Sequence, residues 1–470
     1  MISLILHMNK NRLMNHSKNT NYNNMKNSLL ALFVLFTATC SYAQEQTYSF
    51  TLEEAIDFAL ENNYSAINAD RDLLDAKKQK WETIATGLPQ INGAVSYQNQ
   101  LKQPVSLLPG ELAGQEPGTF IPIVFGQPQT ASATATLKQQ IFDGSYLVGI
   151  QAAKTFIAYS GNYKEKTELE VRTAVVEAYG NVLLSQESVA ILEKNKANLE
   201  NNLFETQKLF ENGLGDEESV EQLQITLSSI DNQLKNSLRL QTITLQMLNL
   251  IMGLDIDAPT KLNETLSDLA QDQIRLNLLE EDLVIDNNID FKIVTNLNQQ
   301  RELELKLQKS LALPTLNAFV NYGSTSYSDK FNFFSNDTDW FDSSVLGLDL
   351  HIPIFSSLGR SAKTARAKIA LEKARTQLSE TEQNIRLQHQ TAKSNYLFSI
   401  EQYNTASENL ALAERIEKKN EIKYAEGLAS SFELRQAQTQ LYSAQQEYLQ
   451  SMVEVINKKT ALETVLNSKL

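Results

Sequence analysis

Residues 171–210 read VRTAVVEAYGNVLLSQESVAILEKNKANLENNLFETQKLF. Alternate steps of four and three residues along this stretch select a mostly apolar series. The series is Val171, Val175, Ala178, Val182, Ser185, Val189, Leu192, Lys196, Leu199, Leu203, Thr206 and Phe210. Because a coiled-coil seam has this spacing, the stretch predicts a long helix that packs against a neighbouring helix along its length.

The helical region extends well beyond the quoted stretch. No proline occurs from Tyr146 to Asn212, and at 1.5 Å per residue such a helix is on the order of 100 Å long. A compact globular core cannot bury so long a rod. Taken alone, the heptads favour a cytoplasmic coiled coil or filament, so the fold also depends on the remaining segments.

The chain repeats itself once at long range. Two matches have an offset of 225 residues, and two later matches have offsets of 212 and 214. The matched segments are 59–63 with 284–288, 87–91 with 312–316, 140–144 with 352–356, and 211–214 with 425–428. We therefore predict repeat 1 over 44–265 and repeat 2 over 266–470. Each repeat has a short helix, a strand, a loop, a strand, a very long helix, a Gly-Leu turn and a long helix.

Each predicted repeat contains two segments in which apolar and polar residues alternate. They are about 88–100 and 131–143 in repeat 1, and 313–325 and 344–355 in repeat 2. About ten residues suffice for a tilted membrane strand, although a sheet that covers an ordinary core has the same alternation. Since the smallest transmembrane barrels have eight strands, four strands would need further copies, and three chains would supply twelve.

The same alternation assigns the charged residues of the strands to one side, and export of the chain, with its helices in the periplasm, places the loops at the extracellular ends. Lys138, Asp349 and His351 fall on the polar side and are predicted to face the barrel lumen. The loop Pro104–Gln129, rich in Pro and Gly, and the shorter loop Ser328–Asp342 are predicted to be extracellular.

Residues 1–43 are predicted to be an upstream extension followed by a signal peptide. Met25-Lys26 is a basic start, Leu29–Thr39 is apolar, and small residues end at Ala43. The apolar run is shorter than the roughly 20 residues that span a bilayer. Cys40, the single cysteine, is either removed with this segment or lipidated. The sequence before it lacks the usual Leu and Gly/Ala of a lipidation site, which favours removal.

Composition excludes several function classes. After residue 43 the chain has 38 basic and 56 acidic residues, and this negative charge argues against a nucleic-acid partner. No apolar stretch of about 18 residues follows Gln44, so strands rather than helices would cross a membrane. His351 and His389 are the remaining histidines, and no phosphate-binding loop or His-Glu metal spacing occurs. We expect no catalytic, cofactor or metal site.

From Thr51 to Leu470 the sequence resembles the TolC family of outer-membrane efflux proteins. The joint order of several motifs carries the resemblance. These are TLEEAI at 51–56, ALENN at 59–63, Leu88-Pro89, Leu313-Pro314, the Gly-Leu turns at 213–214 and 427–428, and the segment Ala437–Leu466.

This resemblance implies a mostly helical fold with membrane strands. Three chains would form a twelve-stranded barrel in contact with outer-membrane lipid, and a coiled-coil tunnel in the periplasm. Such a channel is a passive exit for an inner-membrane pump of the RND or ABC type, or for type I secretion. A periplasmic adaptor would contact the turns Gly213-Leu214 and Gly427-Leu428.

The resemblance also implies a gate near the second turn. Tyr424 matches the tyrosine that bonds neighbouring helices in the family, and Glu433 matches an acidic ring. Gln436 stands where a second acid is expected and Ala429 where a basic residue is expected, so Glu218 or Asp216 would have to substitute. Without the resemblance, Glu433 is simply a solvated helix carboxylate.

Two functions remain open at this stage: a transport channel, and a structural coiled-coil protein of the periplasm. Extraction behaviour separates them, because a channel partitions with outer membranes as a heat-labile trimer, whereas a structural rod is soluble without detergent. The cargo is not encoded in any motif of the sequence.

Overall fold

The computed structural model describes residues 48–467, so the predicted extension and signal peptide with Cys40 lie outside the described residues. Helices dominate, as predicted. They are α1 (Leu52–Asn62), α2 (Tyr64–Ala85), α3 (Gly144–Glu211), α4 (Glu217–Met252), α5 (Leu266–Asp272), α6 (Ile289–Ser310), α7 (Gly359–Ala425) and α8 (Ser431–Leu466). With 68 and 67 residues, α3 and α7 are each about 100 Å long.

Polar side chains fix where the helices begin. Thr51 and Glu54 form a reciprocal capping box at α1. Asn63 accepts hydrogen bonds from the first backbone N–H groups of α2, and Asn288 does the same for α6. Each of these asparagines also donates to a carbonyl at the end of a long helix, Asn63 to Ile251 and Asn288 to Val465. The short helices are thereby attached to the ends of α4 and α8.

The helices form a layer four helices wide. In the half near the large sheet the order is α2, α3, α6, α7, and in the other half it is α4, α3, α8, α7. Each Gly-Leu turn joins a very long helix to its antiparallel partner. Helices α2 and α4 therefore lie at one free edge of the layer, and α7 lies at the other.

The predicted seam of α3 is buried over most of its length. Buried members are Val171, Val175, Ala178, Val182, Ser185, Val189, Leu199 and Thr206. Phe210, next to the turn, is instead 40% exposed. Lys196, the charged member of the series, forms an ion pair with Asp231 of α4, with 2.6 Å between its Nζ and Oδ1 of Asp231.

A belt of short elements crosses the helices near their middle. Strands β1 (Tyr48–Phe50) and β6 (Thr260–Leu262) pair in parallel, and α5 follows them. The fully buried hydroxyl of Tyr179 donates to Glu264, whose carboxylate also accepts from the backbone N–H of Leu52. On the other side, Tyr396 donates to the carbonyl of Gln273. The belt is thus attached to both very long helices through buried polar groups.

Four strands form the large sheet: β2 (Gln90–Asn99), β5 (Gln129–Phe142), β7 (Thr315–Ser328) and β8 (Phe341–His351). All neighbours are antiparallel in the order β2-β5-β7-β8, which leaves β2 and β8 as unpaired edges. The strands overlap the four segments whose alternation indicated strands, although β8 begins three residues before the predicted 344–355 and ends at His351. A bulge near Ile141 ends the regular pairing of β5.

The register gives the sheet two different sides. One side is mainly apolar, with Ile91, Val95, Tyr97, Leu137, Leu316, Val320, Tyr322, Leu346, Leu348 and Leu350. The other is mainly polar, with Asn92, Ser96, Ser132, Thr134, Thr136, Lys138, Asn317, Asn321, Ser343, Asp349 and His351, beside Phe319 and Val345. Because no helix within residues 48–467 covers the apolar side, Val95 is 85% and Leu346 77% exposed.

The prediction of an irregular loop over Pro104–Gln129 was incomplete. Strands β3 (Val105–Pro109) and β4 (Phe120–Val124) pair there as a hairpin. Proline and glycine had indicated only turns, because a short apolar segment without alternation carries no periodic signal. In the part of the chain that the structure describes, no helix is long and apolar enough to cross a membrane.

Candidate functional site

Both Gly-Leu turns end their helices in the same way. Gly213 and Gly427 adopt φ values of 75° and 73°, a left-handed conformation that glycine adopts without a Cβ clash. The N–H groups of Leu214 and Leu428 donate to the carbonyls of Leu209 and Lys423, as in a Schellman motif. The turn sequence thus redirects the chain sharply into the return helix.

The turns expose apolar side chains at the end of the molecule opposite the large sheet. Leu214 is 77% exposed and Leu428 74% exposed. With Phe210 and Phe432, which are 40% and 57% exposed, these leucines form an apolar surface at this end. This geometry is compatible with the predicted adaptor contact at Gly213, Leu214, Gly427 and Leu428.

Two hydrogen bonds join the first helical hairpin to the second near these turns. The hydroxyls of Thr206 and Tyr424 lie 2.9 Å apart, and those of Ser219 and Ser431 also lie 2.9 Å apart. Thr206 is only 2% exposed. Tyr424 was predicted to bond a neighbouring helix, but its partner was not identified. Thr206 could have been identified as this partner because it is a polar residue in the mostly apolar seam of α3.

The structure gives the predicted acidic residues local partners within their own helices. Glu433 Oε2 accepts from the backbone N–H and the hydroxyl of Ser430, which completes a capping box at α8. The backbone hydrogen bond from Ser430 lowers the pKa of Glu433. Glu218 accepts from Gln222, and Asp216 caps α4 through Ser219. Gln436 is exposed without such a role.

Two substitutions at Glu433 separate its capping role from a charge effect. Glu433→Gln keeps an acceptor oxygen for the backbone N–H of Ser430, whereas Glu433→Ala removes that half of the capping box and weakens the first turn of α8. If the charge lines a cation path, both variants lose cation preference in single-channel recordings. An effect confined to Glu433→Ala would instead assign Glu433 to the cap.

A charged contact ties the two helices of the first hairpin together. Asp231 of α4 lies 2.6 Å from both Lys196 of α3 and Lys235 of its own helix. These hydrogen bonds, that of Lys196 first, lower the pKa of Asp231 to about 2. Since an unfolded aspartate titrates near pH 3.9, the contact stabilises fully above that pH and is lost as pH falls towards 2.

Asp231→Asn is therefore expected to flatten the acid dependence of stability between about pH 4 and pH 2. The measurement is thermal unfolding followed by circular dichroism across that range. Glu221→Gln, an exposed position on the same helix, is the matched control. An acid dependence as steep in Asp231→Asn as in the wild type would contradict the assignment.

The three residues predicted for a lumen occupy the polar side of the sheet. Lys138 lies opposite Gln90 and Phe319, Asp349 opposite Asn317, and His351 opposite Thr315. All three are at least partly exposed and lie at the end of the sheet next to the long helices. They share a side, but the single chain does not enclose them.

Apart from the turns, the structure has a polar groove of about 1090 Å³ that lies along α4 and α8. Its lining is rich in Ser, Thr and Gln, with Glu447 and Glu454. Across residues 48–467 no group of three His, Cys, Asp or Glu is arranged to hold a metal ion.

Comparisons with known proteins agree with the helix and strand arrangement. Residues 282–468 match the family described as outer membrane efflux protein. No curated protein sequence matches the chain.

Among solved structures, the Vibrio cholerae outer membrane protein VceC is 15% identical with a TM-score of 0.67, over 88% of this chain and 95% of that one. CusC is 16% identical with a TM-score of 0.71, over 90% and 93%. The Campylobacter jejuni CmeC outer membrane channel is 17% identical with a TM-score of 0.69, over 88% and 85%. At these identities the likeness establishes the fold.

Residues 282–468 thus match the outer membrane efflux protein family that the resemblance predicted, and nearly the whole chain has the fold of solved outer-membrane channels.

Proposed function

We propose that three copies of this chain form a passive exit channel in the outer membrane. The observation that carries the proposal is the large sheet, whose exposed apolar side and polar side are each suited to a different environment. An uncovered apolar sheet is unfavourable in water and favourable against lipid acyl chains. The polar side, with Lys138, Asp349 and His351, then lines a lumen.

Free edges support the assembly of several copies. Strands β2 and β8 have unpaired backbone groups, and a membrane sheet must close on itself to satisfy them. The edge helices also expose apolar side chains, such as Trp81 of α2, Ile225 of α4 and Phe398 of α7. Three copies give twelve strands, with the helical layers closed into a periplasmic tunnel below them.

The tunnel end carries the features expected for docking and closure. Exposed Leu214 and Leu428 suit a periplasmic adaptor, which would connect the channel to an inner-membrane pump of the RND or ABC type, or to type I secretion. The Thr206–Tyr424 bond holds the two hairpins of one chain together, and Glu433, Glu218 and Gln436 lie in the first two turns of the return helices α4 and α8. The matching order of helices and strands in 44–265 and 266–470 supports two tandem repeats.

A pair of lysine substitutions tests the membrane assignment. Leu346→Lys places a charge at the middle of the apolar side and is expected to cost about 2–4 kcal/mol if lipid covers it. Asn92→Lys places the same charge at a similar depth on the polar side and should be tolerated. The measurement is the yield of heat-labile trimer in outer-membrane fractions and of conducting events in planar bilayers.

The alternative function, a structural coiled-coil protein of the periplasm, predicts different results. A protein that is soluble without detergent, does not conduct, and tolerates both lysines equally would favour that alternative and contradict the channel.

A further inference from the structure

The β3–β4 hairpin lies beyond the end of the large sheet that is farthest from the long helices. The backbone N–H of Gln100 donates to the carbonyl of Pro128 at 2.8 Å, and the Gln103 side chain donates to the carbonyl of Gly126 at 3.0 Å. The hairpin therefore continues directly from the end of β2 and leads directly into β5. Because β2 is a free edge, the hairpin stands at a boundary between chains in the proposed assembly.

Apolar residues occupy both sides of this hairpin. The pairs Val105 with Val124, Leu107 with Pro122 and Pro109 with Phe120 share one side. Leu107 is 64% and Phe120 62% exposed. On the other side, Leu108, Ile121 and Ile123 are only half-buried. An isolated two-stranded hairpin is marginally stable in water, and this one exposes an apolar patch that requires a partner.

A different loop already occupies the apolar side of the sheet at this end. Phe333, only 5% exposed, packs against Tyr97 of β2 with 5.9 Å between ring centres, and Phe331 lies 5.3 Å from the same ring. Tyr97 belongs to the apolar side near the outer end of β2. The β7–β8 loop therefore covers the outer end of β2 on the apolar side, whereas the polar side faces the mouth of the proposed lumen.

The hairpin is long enough to cross that mouth. Twelve strands about 4.8 Å apart and tilted by about 40° give a barrel radius of roughly 12 Å. A five-residue strand spans about 17 Å, which exceeds that radius. At its base, Gly126 adopts a left-handed φ of 89°, and Pro104 and Pro128 directly precede β3 and β5.

We propose that the β3–β4 hairpins of three copies pack against one another about the threefold axis and close the extracellular mouth with an apolar seal. This inference rests on the proposed trimeric channel and adds a second constriction, at the opposite end from the helix turns. The occupant of each exposed hairpin surface is the same hairpin of the neighbouring copies. The charged residues of segment 104–126, Glu111 and Glu116, lie in the turn between the paired strands.

A cysteine experiment tests the contact directly, because Cys40 is the chain's single cysteine and precedes residue 44. Leu112→Cys places a thiol in the hairpin turn, where Leu112 is 75% exposed. Mild oxidation in outer membranes should convert this variant to disulfide-linked dimers on a non-reducing gel. Asp337→Cys, an exposed position in the β7–β8 loop, is the control and should remain monomeric.

A charge experiment tests the seal. Phe120→Asp introduces three carboxylates into the apolar contact and should raise single-channel conductance by roughly twofold or more as the mouth opens. Asn336→Asp adds the same charge to the other loop and should leave conductance unchanged.

The outcomes distinguish the two proposals. The seal would be overturned, and the channel left intact, if the protein forms conducting trimers but gives two negative results. These are that Leu112→Cys cross-links no more than Asp337→Cys, and that Phe120→Asp does not change conductance. A polarity-sensitive dye can also be attached to the thiol of the Leu112→Cys variant. Emission typical of lipid acyl chains would overturn the seal and show that the hairpin contacts lipid. A wild-type protein that neither trimerises nor conducts would overturn both.

Discussion

Replacing Lys459 by alanine is expected to lower the free energy of unfolding by about 3–5 kcal/mol. Lys459 is only 1% exposed, and its Nζ lies 2.8 Å from Glu463 and 2.7 Å from the Gln273 side chain. Burial lowers the pKa of this lysine, which reflects the cost of keeping its charge out of water. Its removal leaves a buried carboxylate with one distant partner, Arg172 at 3.6 Å.

The adjacent residue supplies the control for this prediction. Lys458 is 37% exposed and pairs with Glu454 within the same helix. Because an exposed helical pair contributes about 0.3–0.5 kcal/mol, Lys458→Ala should be almost neutral. Both variants can be compared by urea unfolding of the purified assembly, followed by circular dichroism. Equal losses of unfolding free energy in the two variants would show that the buried contact of Lys459 with Gln273 and Glu463 does not stabilise the belt of short elements.

The largest functional effect is expected at the bond between Thr206 and Tyr424. Tyr424→Phe removes one partner and Thr206→Val the other, so either variant should raise the open fraction of single channels. A neutral hydrogen bond contributes about 1 kcal/mol. Three equivalent bonds broken together would then shift the equilibrium between closed and open tunnels by roughly 100-fold.

The double variant sharpens this experiment. Since Thr206 and Tyr424 share one bond, Thr206→Val with Tyr424→Phe should open the channel no further than either change alone. Tyr163→Phe, a change at an exposed tyrosine on the half of α3 near the sheet, serves as the control. If the effects of the two substitutions add, or if all variants give recordings like those of the wild type, the Thr206–Tyr424 bond does not control the gate.

Periodic patterns explain why much of the fold was predictable. The heptad series from Val171 indicated α3 because only one helical face repeats at that spacing. Alternation around Val95 and Leu346 indicated strands because successive strand residues point to opposite sides. In contrast, the β3–β4 hairpin was missed, since apolar residues on both sides of a short strand leave no alternation to detect.

Local sequence patterns were enough to predict the long helices, the four strands of the large sheet, the two helix turns and the apolar side of each of those strands, because these properties depend on residues near one another in the chain. The tertiary structure decided which side chains meet: Thr206 with Tyr424, Ser219 with Ser431, and Lys459 with Gln273. These partners are separated by about 190 to 220 positions. Their contact depends on how the helices align in the folded layer, and local periodicity contains no record of that alignment.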